Sequence, residues 1–227
     1  MRIRISDLDF HYKKSSQLFK DINLEIPLNS LVIVTGNSGS GKTTLLKLIA
    51  GLLEPVTGRI GFELNGKRRE DIHFGYLFQN PDDQIVHFNI ERELAFNLEN
   101  RGVPSAEMRI RVEDALREYD LAERRDDSPN YLSGGEKQRL ALAGMMISNP
   151  DILILDEPCS FLDINAQIQL YRRISELRKQ NVSIIWISQE IHEIRMADYV
   201  IELEQGEVIW QGKSADYLKT IEGAYAG

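Results

Sequence analysis

The stretch Gly36-Asn37-Ser38-Gly39-Ser40-Gly41-Lys42-Thr43-Thr44 decides how this chain folds, because it matches G-x-x-x-x-G-K-[ST], the phosphate-binding loop. The apolar run Leu31–Thr35 precedes the loop and predicts a buried parallel strand. Good helix formers follow the loop at 45–50, and Gly51 is typical of a helix end. Phosphate binding requires this strand–loop–helix context, so a chance glycine-rich turn is the weaker interpretation.

Each residue type in this loop suits a triphosphate. Gly36, Gly39 and Gly41 let the backbone turn tightly so that its N–H groups face an anion. The helix that begins near Gly41 adds the positive end of its dipole. Lys42 offers a charge to the outer phosphates, and the Thr43 hydroxyl is a typical ligand of Mg²⁺. The predicted nucleotide-binding set is completed by Asn37, Ser38, Ser40 and Thr44.

Composition narrows the class of protein. The chain of 227 residues suffices for one large domain or two small lobes. Its formal net charge of −8 argues against a basic face that binds nucleic acid. Cys159 is the single cysteine, so no intrachain disulfide can form and a reducing compartment is expected. Residues 1–7 lack the apolar core of a signal peptide, and no apolar run reaches ~20 residues, which predicts a soluble or peripheral protein.

The segments before the loop predict an antiparallel β layer. Residues 2–10 alternate between apolar and polar, and 18–26 continue as a second strand region. After the loop, residues 57–64 alternate as a further strand. Asn65-Gly66 is a strong hairpin signal. Tyr12 lies at the edge of this layer, where an aromatic ring either stacks on a nucleotide base or packs half-buried; spacing alone favours packing.

Residues 89–148 change to helical periodicity. Ser133 and Glu136 match the S-x-x-E capping box of a helix whose first turn holds Gly134 and Gly135. Each glycine costs about 1 kcal/mol relative to alanine inside a helix. The pair therefore indicates exposed amides that must approach a ligand closely, and an anion is the obvious candidate.

From residue 151 the pattern returns to alternating strands and helices. The apolar run 152–155 ends in Asp156-Glu157, a helix is predicted near 163–180, and 182–187 forms the next buried strand. This βαβ unit predicts parallel strands with a right-handed crossover. A hairpin around Gln205-Gly206 and a short helix end the chain. The fold class is α/β: a P-loop NTPase core with a mixed, mainly parallel sheet, an antiparallel β layer and a helical subdomain.

Over essentially its whole length, the chain resembles the nucleotide-binding subunit of an ABC transporter. The matching motifs, in the family's order, are Walker A at 36–44, the Q-loop glutamine Gln79, the signature Leu132-Ser133-Gly134-Gly135-Glu136-Lys137-Gln138-Arg139, Walker B with its glutamate at 152–157, and the D-loop Ser160-Phe161-Leu162-Asp163. The resemblance implies one ABC ATPase domain over 1–227, with a RecA-like core plus β layer in 1–88 and 149–227 and a helical signature subdomain in 89–148.

The resemblance also implies roles for single residues. Asp156 holds Mg²⁺, directly or through water, and Glu157 polarises the attacking water as general base. Gln79, which by itself fits an ordinary surface glutamine, touches the ion or the water and relays nucleotide state to a membrane partner. Tyr12 becomes an adenine contact. Ser133, Gly134 and Gly135 close over ATP held by a neighbouring subunit, so a head-to-tail dimer with two nucleotides is expected.

The segment Phe78-Gln79-Asn80-Pro81-Asp82-Asp83-Gln84 looks like the Q-loop region of energy-coupling factor importers and the related cobalt and nickel ATPases. Those importers take up vitamins or transition metals, and their ATPases are often two unequal chains. The expected partners are therefore a second ABC ATPase subunit, identical or not, and integral membrane subunits, with no nucleic acid. The expected location is peripheral, at the cytoplasmic face of the cell membrane. Ile85-Val86-His87-Phe88 is the predicted docking segment for a membrane helix.

One position departs from the family. A histidine usually follows the strand after Walker B, where it contacts the γ-phosphate, and here Gln189 occupies that position. An amide still donates one hydrogen bond but carries no charge at neutral pH. We therefore expect this site to bind ATP but to hydrolyse it slowly. Either a paired subunit does most of the turnover, or the residue was altered to trap ATP. The third interpretation is that glutamine substitutes adequately.

Two other classes of function compete with an import ATPase. A nucleotide-gated binding module with a nearly inactive site fits Gln189 but not the intact Glu157. A soluble ABC ATPase of DNA repair or translation fits neither the acidic balance nor the absence of a coiled-coil or zinc insertion. A simple P-loop kinase or GTPase leaves the signature 133–139 unexplained.

Overall fold

The computed structural model describes residues 1–13, 16–64, 71–160 and 162–225. The predicted Asn65-Gly66 turn and the D-loop residue Phe161 lie outside these ranges. The strands are β1 (Arg2–Phe10), β2 (Phe19–Pro27), β3 (Leu31–Thr35), β4 (Thr57–Glu63), β5 (Phe74–Leu77), β6 (Ile152–Asp156), β7 (Ser183–Ile187), β8 (Tyr199–Glu204) and β9 (Glu207–Lys213). The α-helices are α1 (Lys42–Ala50), α2 (Ile90–Glu99), α3 (Ser105–Glu118), α4 (Gly134–Met146), α5 (Ile164–Lys179), α6 (Ile191–Met196) and α7 (Ser214–Tyr225).

The predicted β layer is an antiparallel sheet in the order β2-β1-β4. Its apolar positions alternate, so Ile3 and Ile5 are buried while the side chains between them face outward. Asp7 interrupts β1 with a positive φ of 51°. At this point the register of β1 shifts in its pairing with β2 and in its pairing with β4.

The larger sheet has the order β5-β6-β7-β3-β8-β9, and β5, β6, β7, β3 and β8 run parallel. The predicted βαβ unit is confirmed as β6-α5-β7, with Asp156 opposite Ile187 in the paired strands. The predicted hairpin is also confirmed, because β8 and β9 pair antiparallel around Gln205-Gly206, both with positive φ. Parallel strands bring their carboxyl ends to one edge, so Thr35, Asp156 and Ile187 end on the same side of the sheet.

Strand β3 lies between two hydrophobic cores. Its residues are all buried, and their side chains alternate between the two faces. Leu31 and Ile33 pack with the core that contains α2, α3 and α4, whereas Val32 and Val34 pack with α1 and the β layer. A strand buried on both faces is rigid, and the phosphate-binding loop continues directly from it.

Helices α2 to α4 lie within the segment with helical periodicity. Asn89 caps α2 by accepting from the Arg92 N–H, and Ser133 with Glu136 forms the predicted capping box of α4. The short helix α6 and 3₁₀ turns at Pro81–Asp83, Ala122–Arg124 and Pro129–Tyr131 were not predicted. Elements this short carry too few residues for a periodic pattern.

Candidate active site

The loop after β3 has the backbone that its glycines predict. Gly36, Gly39 and Gly41 have φ values of 128°, 79° and 104°, all in the region that favours glycine. Space is equally restrictive at two of them. A Cβ on Gly36 would lie 2.0 Å from the Leu203 carbonyl oxygen, and a Cβ on Gly41 would lie 2.7 Å from the Phe19 ring. The loop is therefore clamped between β8 and the β layer, and only a residue without a side chain fits there.

Lys42 is the buried cation of the site. It is 6% exposed, and its Nζ donates to the carbonyl oxygens of Gly36 at 2.7 Å and Asn37 at 2.9 Å. Burial lowers the pKa of Lys42, while Glu157 and Asp156 act in the opposite direction. The ammonium thus lies across the mouth of the loop, and two carboxylates nearby balance its charge.

Asp156 ends β6 beside the first residues of α1. The Thr43 hydroxyl donates to its Oδ1 at 3.1 Å, and the Tyr76 hydroxyl lies 3.4 Å from its Oδ2. Asp156 is 3% exposed, and burial is the largest cause of the raised pKa of this carboxyl; the charge of Glu157 acts in the same direction, and the two hydroxyl contacts oppose it. Sequence reasoning missed Tyr76, because its link to Asp156 depends on the pairing of β5 with β6.

Glu157 follows in an unusual backbone conformation, with φ at 48°. The Gln79 amide donates to its Oε2 at 2.8 Å, and the Ser160 hydroxyl lies 3.4 Å from the same oxygen. A positive φ in a glutamate is costly and is maintained only where surrounding contacts enforce it. The structure thus brings Gln79 and Glu157 into direct contact, although 78 positions separate them in the sequence.

Tyr12 reaches the loop from the β layer. Its hydroxyl lies 3.0 Å from the Thr44 Oγ1, and its ring meets Phe10 edge-on with centroids 5.0 Å apart. Tyr12 is 44% exposed, and it lines the same cleft as the loop residues. This position is compatible with packing and with stacking on a base.

These residues line one cleft of about 660 Å³, a size typical of small-ligand sites. Gln189 also lines the cleft and directly follows Ser188, whose N–H donates to the Val34 carbonyl at 3.2 Å. Of the predicted site residues, those that line the cleft are Tyr12, Ser38, Gly39, Gly41, Lys42, Thr43, Thr44, Gln79, Glu157 and Gln189. Asp156 is not one of these lining residues, but it contacts Thr43, which is one of them.

The signature segment lies apart from this cleft. None of Ser133, Gly134 and Gly135 is among the residues that line it. Ser133 is exposed, and its hydroxyl lies 2.7 Å from the Glu136 Oε2 within the capping box. Further along α4, the buried Gln138 donates to the Pro158 carbonyl at 2.9 Å, which connects the signature helix to the segment after Glu157. The chain therefore presents two separate helix starts that suit anions.

The donor set beside the cleft fits a magnesium–nucleotide complex better than a metal cage. Within the described ranges, no cluster of at least three His, Cys, Asp or Glu side chains is arranged to hold a metal ion. The Thr43 hydroxyl and the Asp156 carboxylate are adjacent oxygen ligands instead. Mg²⁺ typically takes one or two protein oxygens, waters and substrate phosphates, so this pair fits it. A phosphate-binding loop after one strand of a parallel sheet, with a carboxylate at the end of another strand of that sheet, is typical of P-loop nucleoside triphosphatases.

Comparison with known proteins narrows this class. The sequence family "ABC transporter" matches residues 19–160. The energy-coupling factor transporter ATP-binding protein EcfA1 of Staphylococcus epidermidis is 38% identical over 97% of this chain and 84% of its own length. The protein of the same name from Ligilactobacillus salivarius is 40% identical over 93% of this chain and 77% of its length.

Solved structures agree. CbiO1 of Clostridium perfringens, described as part of the ABC transporter complex CbiONQ, superposes with a TM-score of 0.81 at 28% identity, over 97% of this chain and 91% of that one. The ATP-binding cassette MJ0796, in a dimeric post-hydrolysis structure with ADP and Pi, gives a TM-score of 0.80 at 25% identity, over 93% and 98%. The chain belongs to the ABC transporter family as an ATP-binding subunit, and it is an ATPase. It is similar to the ATP-binding subunits of energy-coupling factor transporters.

Proposed function

We propose that this subunit binds Mg·ATP in its own cleft and hydrolyses it in a head-to-tail ATPase dimer that drives an energy-coupling factor importer for a vitamin or a metal ion. The contact between Gln79 and Glu157 at 2.8 Å carries this proposal. It joins the predicted sensor of nucleotide state to the predicted general base in one cleft with Lys42 and Thr43. A binding module without turnover has no need of this contact.

Each side chain has one task in the proposed reaction. Lys42 and the loop amides bind the outer phosphates, and Tyr12 stacks on the adenine. Thr43 and Asp156 would hold Mg²⁺, which offsets phosphate charge when bound, and Gln79 would touch the ion or the water. Glu157 accepts a proton from the attacking water, and Gln79 orients that water. Gln189 donates an amide hydrogen bond toward the γ-phosphate.

The separation of the two helix starts supports the proposed dimer. Ser133 and Gly134 are exposed and outside the chain's own cleft, so they are available to a nucleotide on another subunit. The related cassette MJ0796 has been described as a dimer with ADP and Pi. We extend the same proposal to the division of the chain: 89–148 forms the signature subdomain, and 1–88 with 149–227 forms the core.

The proposed location is peripheral, at the cytoplasmic face of the membrane and bound to membrane subunits. No helix in the described ranges is long and apolar enough to cross a bilayer. The proposed docking segment presents Phe88 at 84% exposure and Val86 at 59%. Glu93 holds it in place, because its carboxylate accepts from the N–H groups of Val86 and His87. A charged substitution at Phe88 is expected to release the subunit from membranes, and unchanged membrane association would contradict this role.

The experiment that tests the role of Gln189 is the substitution Gln189→His in the complex assembled with its natural partners. ATP turnover is expected to rise, because a histidine adds charge at the γ-phosphate. Gln211→His on β9 is the matched control and should leave turnover unchanged. Glu157→Gln should abolish turnover in this chain's site while ATP binding persists. No increase with Gln189→His would show that glutamine is an adequate substitute, and identification of the chains that copurify from membranes would define the dimer.

A further inference from the structure

The Tyr171 hydroxyl is a junction between three segments, and the proposed reaction leaves it without a role. Tyr171 lies on α5 with its ring stacked on the buried Trp186, centroids 5.9 Å apart. Its hydroxyl lies 2.7 Å from the Glu193 Oε1 and 2.9 Å from the His192 Nε2, both on α6. The Cys159 sulfur lies 3.6 Å from the same oxygen. A single oxygen therefore connects α5, α6 and the segment that follows Glu157.

Hydrogen-bonding capacity fixes how these groups are arranged. A carboxylate only accepts, so the Tyr171 hydroxyl donates to Glu193, which is 2% exposed. The two lone pairs of the oxygen then accept from the His192 Nε2–H and, more weakly, from the Cys159 S–H. Burial raises the pKa of Tyr171 and of Cys159, so both groups keep their protons at neutral pH. Every hydrogen-bonding position of the hydroxyl is used, and this favours one geometry.

Two of the connected segments lead directly to the reacting groups. Cys159 comes two positions after Glu157, and His192 comes three positions after Gln189. On its other side, Gln189 follows Ser188, whose Oγ accepts from the Glu190 N–H at 3.0 Å. The segment that carries Gln189 is thus held at both ends: Ser188 is bonded to Val34 on the central sheet, and His192 is bonded to Tyr171. A cavity of about 500 Å³ lies between them, lined by Glu157, Gln189 and Tyr171 among others.

We propose that Tyr171 is a positioning residue for ATP hydrolysis, whose hydroxyl sets the placement of Gln189 relative to Glu157. The inference rests on the proposed function, because it assumes that Gln189 acts on the γ-phosphate side of the cleft. Tyr171 itself is not among the residues that line the nucleotide cleft. Its loss should therefore slow the chemical step without weakening ATP binding.

The test is Tyr171→Phe in the assembled complex, with the site of the second ATPase inactivated where that subunit is a different chain. The substitution keeps the ring stacked on Trp186 and removes only the hydroxyl. We expect kcat to fall about tenfold, with KM for Mg·ATP changed by less than about twofold. Tyr199→Phe, which removes a tyrosine hydroxyl from β8, is the control and should change neither constant. Glu193→Ala removes the acceptor of the Tyr171 hydrogen bond and should cause the same fall in kcat. It serves as the alternative test if Tyr171→Phe folds poorly.

A second measurement separates positioning from general structural support. In a Gln189→Ala background, Tyr171→Phe should cause no further loss, because the residue that it positions is absent. Multiplying losses would overturn the inference, and so would an unchanged kcat or a raised KM for Tyr171→Phe. If Gln189→Ala alone leaves turnover unchanged, the role of Gln189 in the proposed function fails, and this inference fails with it. If Gln189→Ala is slow and Tyr171→Phe is normal, the present inference alone fails.

Discussion

Replacing Asp156 with asparagine should stabilise the metal-free protein while it abolishes magnesium-dependent nucleotide binding. The carboxylate is 3% exposed, and Glu157 lies beside it with the same charge. Asparagine has the same shape, and its amide still pairs with the hydroxyls of Thr43 and Tyr76, because a hydroxyl both donates and accepts. The substitution therefore removes a buried charge without opening a cavity, and Glu157 remains near Lys42 to balance the ammonium.

The sign of the pH dependence follows from the direction of the pKa shift. The pKa of Asp156 is raised in the folded state, chiefly by burial, so the folded protein binds this proton more tightly than the unfolded chain does. Below the unfolded-state pKa both states are protonated, and the carboxyl imposes no penalty. As the pH rises through the folded-state pKa, the penalty for ionisation develops fully. At pH 7, removal of such a functional charge should raise the free energy of unfolding by about 0.5–2 kcal/mol.

Thermal unfolding measures both effects. A gain of about 1 kcal/mol corresponds to a Tm about 2–4 °C higher for a chain of this size. The difference between Asp156→Asn and wild type should shrink as the pH falls from 7 and should vanish below the unfolded-state pKa of an aspartate, about 3.9, where the carboxyl is protonated in both states. Mg·ATP should raise the Tm of wild type and leave that of the variant unchanged. Asp114→Asn, at an exposed position of α3, is the control and should lie within about 0.5 kcal/mol of wild type. A lower Tm for metal-free Asp156→Asn at pH 7 would refute the reasoning.

Three further predictions concern single substitutions at the loop, the β layer and the docking segment. Gly36→Ala should lower the free energy of unfolding by more than about 2 kcal/mol and abolish ATP binding, because its Cβ would lie 2.0 Å from the Leu203 carbonyl oxygen. Gly39→Ala has open space around the new Cβ, so it should lower the free energy of unfolding by only about 1–2 kcal/mol, the cost of its positive φ. Equal losses for the two variants would contradict this reasoning. Tyr12→Ala should weaken ATP binding about tenfold in a fluorescence titration, and Tyr12→Phe should spare most of it; no effect of either would favour simple packing. Glu93→Ala should cost about 2–4 kcal/mol in urea unfolding, because two backbone N–H groups lose their acceptor, and a loss under 1 kcal/mol would contradict the anchoring role.

Local sequence was enough to predict most elements of this fold. The strands beside the phosphate-binding loop, the capping box at Ser133 and the hairpin at Gln205-Gly206 each depend on residues close together in the chain. Short elements such as α6 escaped prediction, because six residues contain less than two helical turns. The same limit applies to the 3₁₀ turn Pro81–Asp83, which was predicted only as a loop.

By itself, the sequence determined the glycine loop, the identity of the charged groups and the family, because these depend on residue type and spacing along the chain. Tertiary structure alone decided which of these groups meet. Gln79 touches Glu157, Tyr76 approaches Asp156, and Tyr171 joins α5 to α6, all across long separations in the chain. Each contact depends on strand order and on how the helices pack against the sheet. Those arrangements result from the burial of two hydrophobic cores on opposite faces of β3, and no local pattern encodes them.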